Sequence, residues 1–216
     1  MGFSVSTVSL VLLLPLAMVT GQVPEESQNA VEKLQVQVYY ETKCPDSMSF
    51  LRNQLQPSMR EKNRMQYTDL ELIPFGKAIV WRDATTKKLH VQCQHGEPEC
   101  VDNALHACIL ETSDFEVAFD VIVCLMGSYT TELQKCSEKY NLNLDPVNEC
   151  VANRSTAEIL EKYGRQTAEI DLTFVPSIAL NGKFDYSEQN HLLYRFDAKF
   201  CNAYEIKHGK KLENCH

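Results

Sequence analysis

The chain has 216 residues, with 21 Lys and Arg against 29 Asp and Glu for a net charge of −8, and 44% of its residues are hydrophobic. This composition is globular rather than disordered or fibrous, and the length suits one domain or one domain with a large insertion. The acidic balance excludes the clustered positive field a nucleic-acid backbone needs, and nine cysteines point away from a reducing cytosol.

Leu10 to Val19 is an apolar run interrupted by Pro15, too short to span a bilayer. It follows a polar start without Lys or Arg, and the small residues Thr20 and Gly21 close it. A signal peptide over residues 1–21, cleaved after Gly21, is therefore expected, which sends the mature chain into an oxidising lumen. No later stretch is apolar and long enough for a membrane span.

Leu34 to Glu41 alternates apolar and polar residues with the period of a strand. Cys44 follows, and Pro45 suits the first turn of a helix because its missing N–H is not needed there. That helix is expected to run to about Lys62, and Gln66 to Phe75, closed by Gly76, reads as a second strand. A hairpin is expected over Ile79 to Gln92, turning at Asp83 to Lys87. Helices are expected at Glu99 to Glu111, Asp114 to Met126, Thr130 to Tyr140 and Ser155 to Ile170. Ser113 with Glu116, and Ser155 with Glu158, read as capping boxes. Phe174 to Leu180 returns to strand character, Asn181-Gly182 is a two-residue hairpin turn, and a last helix is expected from Ser187 to Tyr204. Proline cannot donate to a sheet ladder, so Pro176 belongs at a strand entrance; the base rate favours a trans bond there, whereas the architecture described next favours cis.

The cysteines are Cys44, Cys93, Cys100, Cys108, Cys124, Cys136, Cys150, Cys201 and Cys215. An odd number in the secretory pathway leaves one thiol without an internal partner. The economical assignment bridges the eight from Cys93 onward and leaves Cys44 free; parity alone leaves open an intermolecular bridge or another odd cysteine. Cys100 and Cys108 on one helix lie about 12 Å apart at 1.5 Å per residue, too far to bond each other. Cys201 and Cys215 bracket a polar tail that a bridge would staple. Cys93, His95, Cys100 and His106 can be drawn as a zinc set, but they lack the paired spacing of structural sites, and no metal is expected.

A strand, a cysteine at a helix start, a second strand, and later a proline-led strand in a hairpin with a terminal helix resemble a thioredoxin fold. The expected class is α/β: a thioredoxin-like fold with a large, mainly helical, disulfide-stapled insertion. Residues 34–76 form its first half, 77–173 the insertion, and 174–215 the second half with its stapled tail. Residues 93–108 are similar to CQHGxxECxxNxxxxC, the signature of the gamma-interferon-inducible lysosomal thiol reductase family, matching eight fixed positions. Val38 to Glu41, Ile73 to Gly76 and Val175-Pro176 also resemble family segments. The resemblance implies reduction of protein disulfides at acidic pH, a role in antigen processing or host defence, and delivery to lysosomes or secretion. It also implies a C-x-x-C pair at the helix start. Here the motif is Cys44-Pro45-Asp46-Ser47, so the second thiol is a hydroxyl.

Disulfide exchange requires a thiolate, and a helix N-terminus favours the anion through its unpaired N–H groups and positive dipole end. Ser47 is placed to donate its hydroxyl to the sulfur, and Lys43 adds a favourable charge. With Ser47 in place of a resolving thiol, Cys44 still forms a mixed disulfide. Release then falls to an external small thiol, with no other cofactor, or to another cysteine of the substrate, which would make the protein an isomerase-like shuffler. The thioredoxin-like resemblance implies that backbone groups of Val175, beside Pro176, hold an extended substrate strand against Cys44. Disulfide-containing proteins are the expected partners, and the residues carry no signal for an oligomeric state. The alternative is a non-catalytic disulfide-capture protein on the same fold. A Cys-His hydrolase using His95, His106 or His191 is a weaker reading, because no protease signature surrounds Cys44. Asn153-Arg154-Ser155 is a glycosylation sequon at Asn153.

Overall fold

Leu34, Val36, Val38 and Tyr40 are all fully buried, and the strand they form, β1 (Leu34–Tyr40), is an inner strand of a four-stranded sheet. The computed structural model describes residues 1–3 and 32–215; the expected signal peptide, from residue 4 on, lies outside the described residues. On one side β1 pairs in parallel with β2 (Thr68–Pro74), Leu34 opposite Thr68 and Tyr40 opposite Pro74. On the other it pairs antiparallel with β5 (Ser177–Leu180), which turns through Asn181-Gly182 into β6 (Lys183–Phe184). Asn181 and Gly182 both have positive φ, 51° and 70°, as the twist-matched hairpin turn demands. The expected strand from Phe174 starts only at Ser177, because Pro176 has no N–H for the ladder and pairing begins after it.

Helix α1 (Pro45–Phe50) does not continue as a regular α-helix to Lys62. Pro57 has no N–H to give to the preceding turn, and the ladder widens around it into π segments at Leu51–Leu55 and Pro57–Glu61. Thus Gln56 donates to Leu51 O, and Lys62 to Pro57 O. Met65–Tyr67 is a 3₁₀ turn, so β2 begins at Thr68 rather than Gln66.

The segment between the sheet halves opens with the hairpin β3 (Ile79–Arg82) and β4 (Leu89–Gln92), followed by α2 (Glu97–Thr112), α3 (Phe115–Leu125), α4 (Leu133–Tyr140), α5 (Leu144–Asn153) and α6 (Thr156–Thr167). Asp114, not Ser113, caps α3: its carboxylate accepts from Glu116 N and Val117 N, which corrects the first of the two expected capping boxes. The Ser155–Glu158 box at α6 is present with both reciprocal bonds. Helix α5, absent from the expected elements, is capped by Asn143. Three bridges tie these elements together: Cys93–Cys100 across the entry to α2, Cys108–Cys150 between α2 and α5, and Cys124–Cys136 between α3 and α4. Helices α2 and α6 pack on β2.

The expected last helix is broken at Arg195 into α7 (Gln189–Tyr194) and α8 (Phe196–His208). Helix α8 lays Phe196, Phe200 and Tyr204 in the core; Phe196 meets Phe50 of α1 edge-on at 5.6 Å between ring centroids. Cys201–Cys215 staples the tail to α8. The tail is also gripped by Arg64, only 1% exposed, which donates to the carbonyls of Glu213 and Asn214 and to Asp197. Among the described residues, no helix is long and apolar enough to cross a membrane.

Candidate functional site

The site is built where β1 ends. Its last residue, Tyr40, accepts from Phe75 N, and the chain then turns through Glu41, Thr42 and Lys43 to Cys44, the N-cap of α1, with Pro45 in the first helical position. Among the described residues Cys44 alone is an unbridged cysteine. Cys44 is 8% exposed, and its thiol donates to the carbonyl of Val175 at 3.6 Å. That carbonyl immediately precedes the cis bond to Pro176, so the second half of the sheet delivers its turn directly onto the sulfur.

Two expected neighbours of the sulfur are engaged elsewhere. Ser47 is fully buried three residues into the helix, and its Oγ accepts from Glu41 N at 3.4 Å. The hydroxyl thus closes the strand-to-helix turn, where a bond to the sulfur was expected. Lys43 forms an ion pair with Asp102 of α2, and its carbonyl accepts from the Tyr129 hydroxyl at 3.2 Å.

The residues that hold the turn come from α2. Glu99, Asn103 and His106 recur at helical spacing on its buried face. Asn103 Oδ1 accepts from both Thr42 N, at 3.0 Å, and Thr42 Oγ1, at 2.8 Å. The polar residues of the 93–108 signature therefore face the two residues before Lys43 and Cys44. Helical periodicity alone places α2 but gives Glu41, Thr42 and Asn103 no role; the signal for them is the polar stripe at i, i+4 and i+7 on an otherwise apolar helix face. Gly76 completes the surroundings. Its φ is 58°, and a Cβ there would lie 2.3 Å from the Glu41 side chain, so glycine leaves the space in which Glu41 Oε1 accepts from Lys77 N at 2.7 Å. Burial raises the Glu41 carboxyl above the ordinary range, against the Lys77 N–H that lowers it, with Glu99 pushing it up further.

None of the three histidines weighed as a base serves the sulfur: among the described residues, no histidine nitrogen hydrogen-bonds Cys44. His95 pairs with Glu99, His191 is exposed, and His106 is 3% exposed with its Nδ1 bonded to the Tyr40 hydroxyl at 3.0 Å. Cys93 and Cys100 bridge each other, so the zinc set drawn from Cys93, His95, Cys100 and His106 does not assemble. Asn153 is exposed at the end of α5, while Ser155 of its sequon caps α6.

Burial, with a smaller contribution from Lys43, holds His106 down to about 3. The native imidazole therefore stays neutral while an unfolded one takes a proton near pH 6.5. Its contribution is fully present above pH 6.5 and is lost as pH falls toward 3, at about 1.4 kcal/mol per pH unit. In chemical denaturation at pH 7 and pH 4.5, His106→Gln is expected to lose about 2–3 kcal/mol less than wild type between the two conditions. Equal losses in both proteins would contradict a neutral buried imidazole.

An unbridged thiol capping a helix beside a cis-proline turn, on a mixed sheet flanked by helices, defines the thioredoxin-like class of thiol–disulfide oxidoreductase folds. Solved structures share the architecture: Chlamydia trachomatis DsbA, 12% identical, matches with TM-score 0.56 over 84% of this chain and 90% of that one. Bacillus subtilis BdbD, 14% identical, matches with TM-score 0.51 over 84% and 86%. The family model for gamma interferon inducible lysosomal thiol reductase (GILT) matches residues 35–140. GILT-like protein 2 of Drosophila melanogaster is 39% identical over 85% of this chain and 86% of its own length. The mouse gamma-interferon-inducible lysosomal thiol reductase is 28% identical over 69% and 61%. The chain belongs to the gamma interferon inducible lysosomal thiol reductase family. Family and fold together support thiol–disulfide oxidoreductase activity, and four disulfides are consistent with an oxidising compartment.

Proposed function

We propose that this chain reduces protein disulfides with Cys44 as its single exchanging thiol. The observation that carries the reading is Cys44 itself: unbridged, at the helix N-cap, against the Val175 carbonyl beside cis-Pro176, and followed at the third helical position by a serine. The Cys44 thiolate attacks one sulfur of a substrate disulfide, that bond breaks, and the departing substrate sulfur takes up a proton. Ser47 cannot displace a sulfur, so a small external thiol attacks Cys44 and frees the second substrate thiol. A second molecule of it restores Cys44 and leaves as its own disulfide. Two small thiols are oxidised for each substrate disulfide reduced, and no other cofactor is needed.

Val175 and Pro176 supply the substrate platform, since an extended strand laid along that turn brings its cystine to the sulfur. A cleft of about 210 Å³ beside the turn, lined by Thr42, Lys43, Asp102, Met126 and Tyr129, receives side chains flanking the cystine. The working compartment is a lysosome or the extracellular space, with a glycan on exposed Asn153 and a role in antigen processing or host defence; family membership and the disulfide content support this.

Incubation with a peptide disulfide at low small-thiol concentration, followed by intact mass spectrometry, tests the reading. A mixed disulfide is expected on wild type and absent on Cys44→Ser. Added small thiol is expected to discharge it and sustain turnover. A mixed disulfide that forms but never discharges would identify a capture protein instead, and its absence would reject Cys44 as the exchanging thiol.

A further inference from the structure

We propose that Glu41, His95 and Glu99 form a binding site for one divalent transition-metal cation of the zinc type. One ligand atom from each of the three residues falls within a cluster no more than 4.8 Å across. Both carboxylates are fully buried, whereas the imidazole is 36% exposed, leaving a route in from solvent. His95 Nδ1 lies 2.6 Å from Glu99 Oε2 and 3.5 Å from Glu41 Oε2.

Hydrogen bonds do not satisfy this cluster. Glu99 Oε1 accepts from His95 N at 3.0 Å, and Glu99 Oε2 takes the single proton that Nδ1 can offer. Glu41 Oε1 takes the Lys77 N–H, but Glu41 Oε2, shut off from solvent and facing the same imidazole, has no hydrogen-bond partner among the described residues. An orphaned buried carboxylate oxygen is costly, and two buried carboxylates share one imidazole that carries at most one positive charge. Lys43, the cationic side chain beside them in sequence, is drawn away to Asp102. A divalent cation supplies the missing partner and balances both carboxylates.

The donor set selects the cation. Two carboxylate oxygens and an imidazole nitrogen suit zinc and neighbouring divalent metals, whereas calcium and magnesium prefer oxygen alone. Cys93 and Cys100, which flank His95 and Glu99 in sequence, are not ligands, because they are bonded to each other. That bridge encloses His95, on the loop, and Glu99, in the first turn of α2, within one short covalent ring, and Gly96, at φ 85°, lets the loop turn into α2. Around zinc at about 2.1 Å per bond the ligand atoms sit roughly 3.4 Å apart, so small side-chain adjustments complete the geometry. The cation joins the end of β1 to the start of α2, behind the turn that presents Cys44, and does not depend on the chemistry proposed for that thiol.

The test uses untagged Cys44→Ser protein, so that the free thiol cannot contribute. After chelator treatment and dialysis against low-micromolar zinc chloride at pH 7, elemental analysis is expected to find one zinc per chain. Cobalt in its place is expected to give d–d bands without thiolate charge transfer. Glu41→Gln and His95→Ala in the same background are expected to weaken binding by at least the roughly 10–100-fold that losing even an outer partner of a ligand costs. His95 is partly exposed, so its variant decides the matter if Glu41→Gln fails to fold. Substoichiometric zinc, or equal retention by His95→Ala, overturns the proposal.

Discussion

Replacing Ser47 by cysteine is expected to shorten the life of the Cys44 mixed disulfide about a hundredfold in roughly 0.01 mM small thiol, because a tethered thiol acts at an effective concentration of about 1 mM or more. The new sulfur at the third helical position attacks Cys44, expels the substrate thiol and leaves an internal disulfide that a reductant must reopen. The position is favourable: Ser47 is fully buried in the same turn as the N-cap, and its hydroxyl makes one long bond, to Glu41 N at 3.4 Å. Time-resolved mass spectrometry after acid quench reads the lifetime, and thiol counting reads the product. A mixed disulfide as long-lived as in wild type would show that a thiol at this position cannot reach the first sulfur.

Asn103→Ala is expected to cost about 2–3 kcal/mol of stability and to slow mixed-disulfide formation at Cys44. One oxygen, Asn103 Oδ1, takes both the amide and the hydroxyl proton of Thr42, which is only 6% exposed. Its removal strands a buried backbone donor, worth about 1–3 kcal/mol, and opens a small void. Thr42→Val removes the hydroxyl and keeps the amide bond, so its cost should be about 1 kcal/mol with the exchange rate nearly intact. Urea denaturation and stopped-flow exchange on both variants separate the effects. Unchanged exchange in Asn103→Ala would mean that the turn holds Cys44 without help from α2.

Local patterns carried much of the fold. The period-two run of β1, Pro45 after Cys44, the Asn181-Gly182 turn and the Ser155–Glu158 box each specify structure within a few residues, and the elements lie there. Features that depend on distant partners were not readable. Arg195 breaks the last helix where Phe196 turns into the aromatic cluster around Phe50. Pro57 was visible in the sequence, yet its outcome, a widened ladder instead of a helix end, follows from the packing of both π segments into the core. Glu41 looked like the last polar residue of an alternating strand; its burial is decided by Gly76 and α2, neither of which is local. The thiol at position 44 was legible from parity and motif, whereas the preference of Ser47 for a backbone amide was not.

The four cystines are not equally sheltered. Cys93 and Cys100 are 6% and 3% exposed, and Cys108 and Cys136 are fully buried, so each bridge between the sheet halves hides at least one sulfur; Cys201 and Cys215 are both half-buried. Attack on a disulfide needs access to a sulfur, so an added reducing agent is expected to erode the carboxyl-terminal loop before it touches the helical layer. Arg64 retains its grip on the backbone there, and the damage begins as fraying rather than collapse. Reagent strength in any assay, or in any compartment, thus has a ceiling set by the last cystine rather than by position 44.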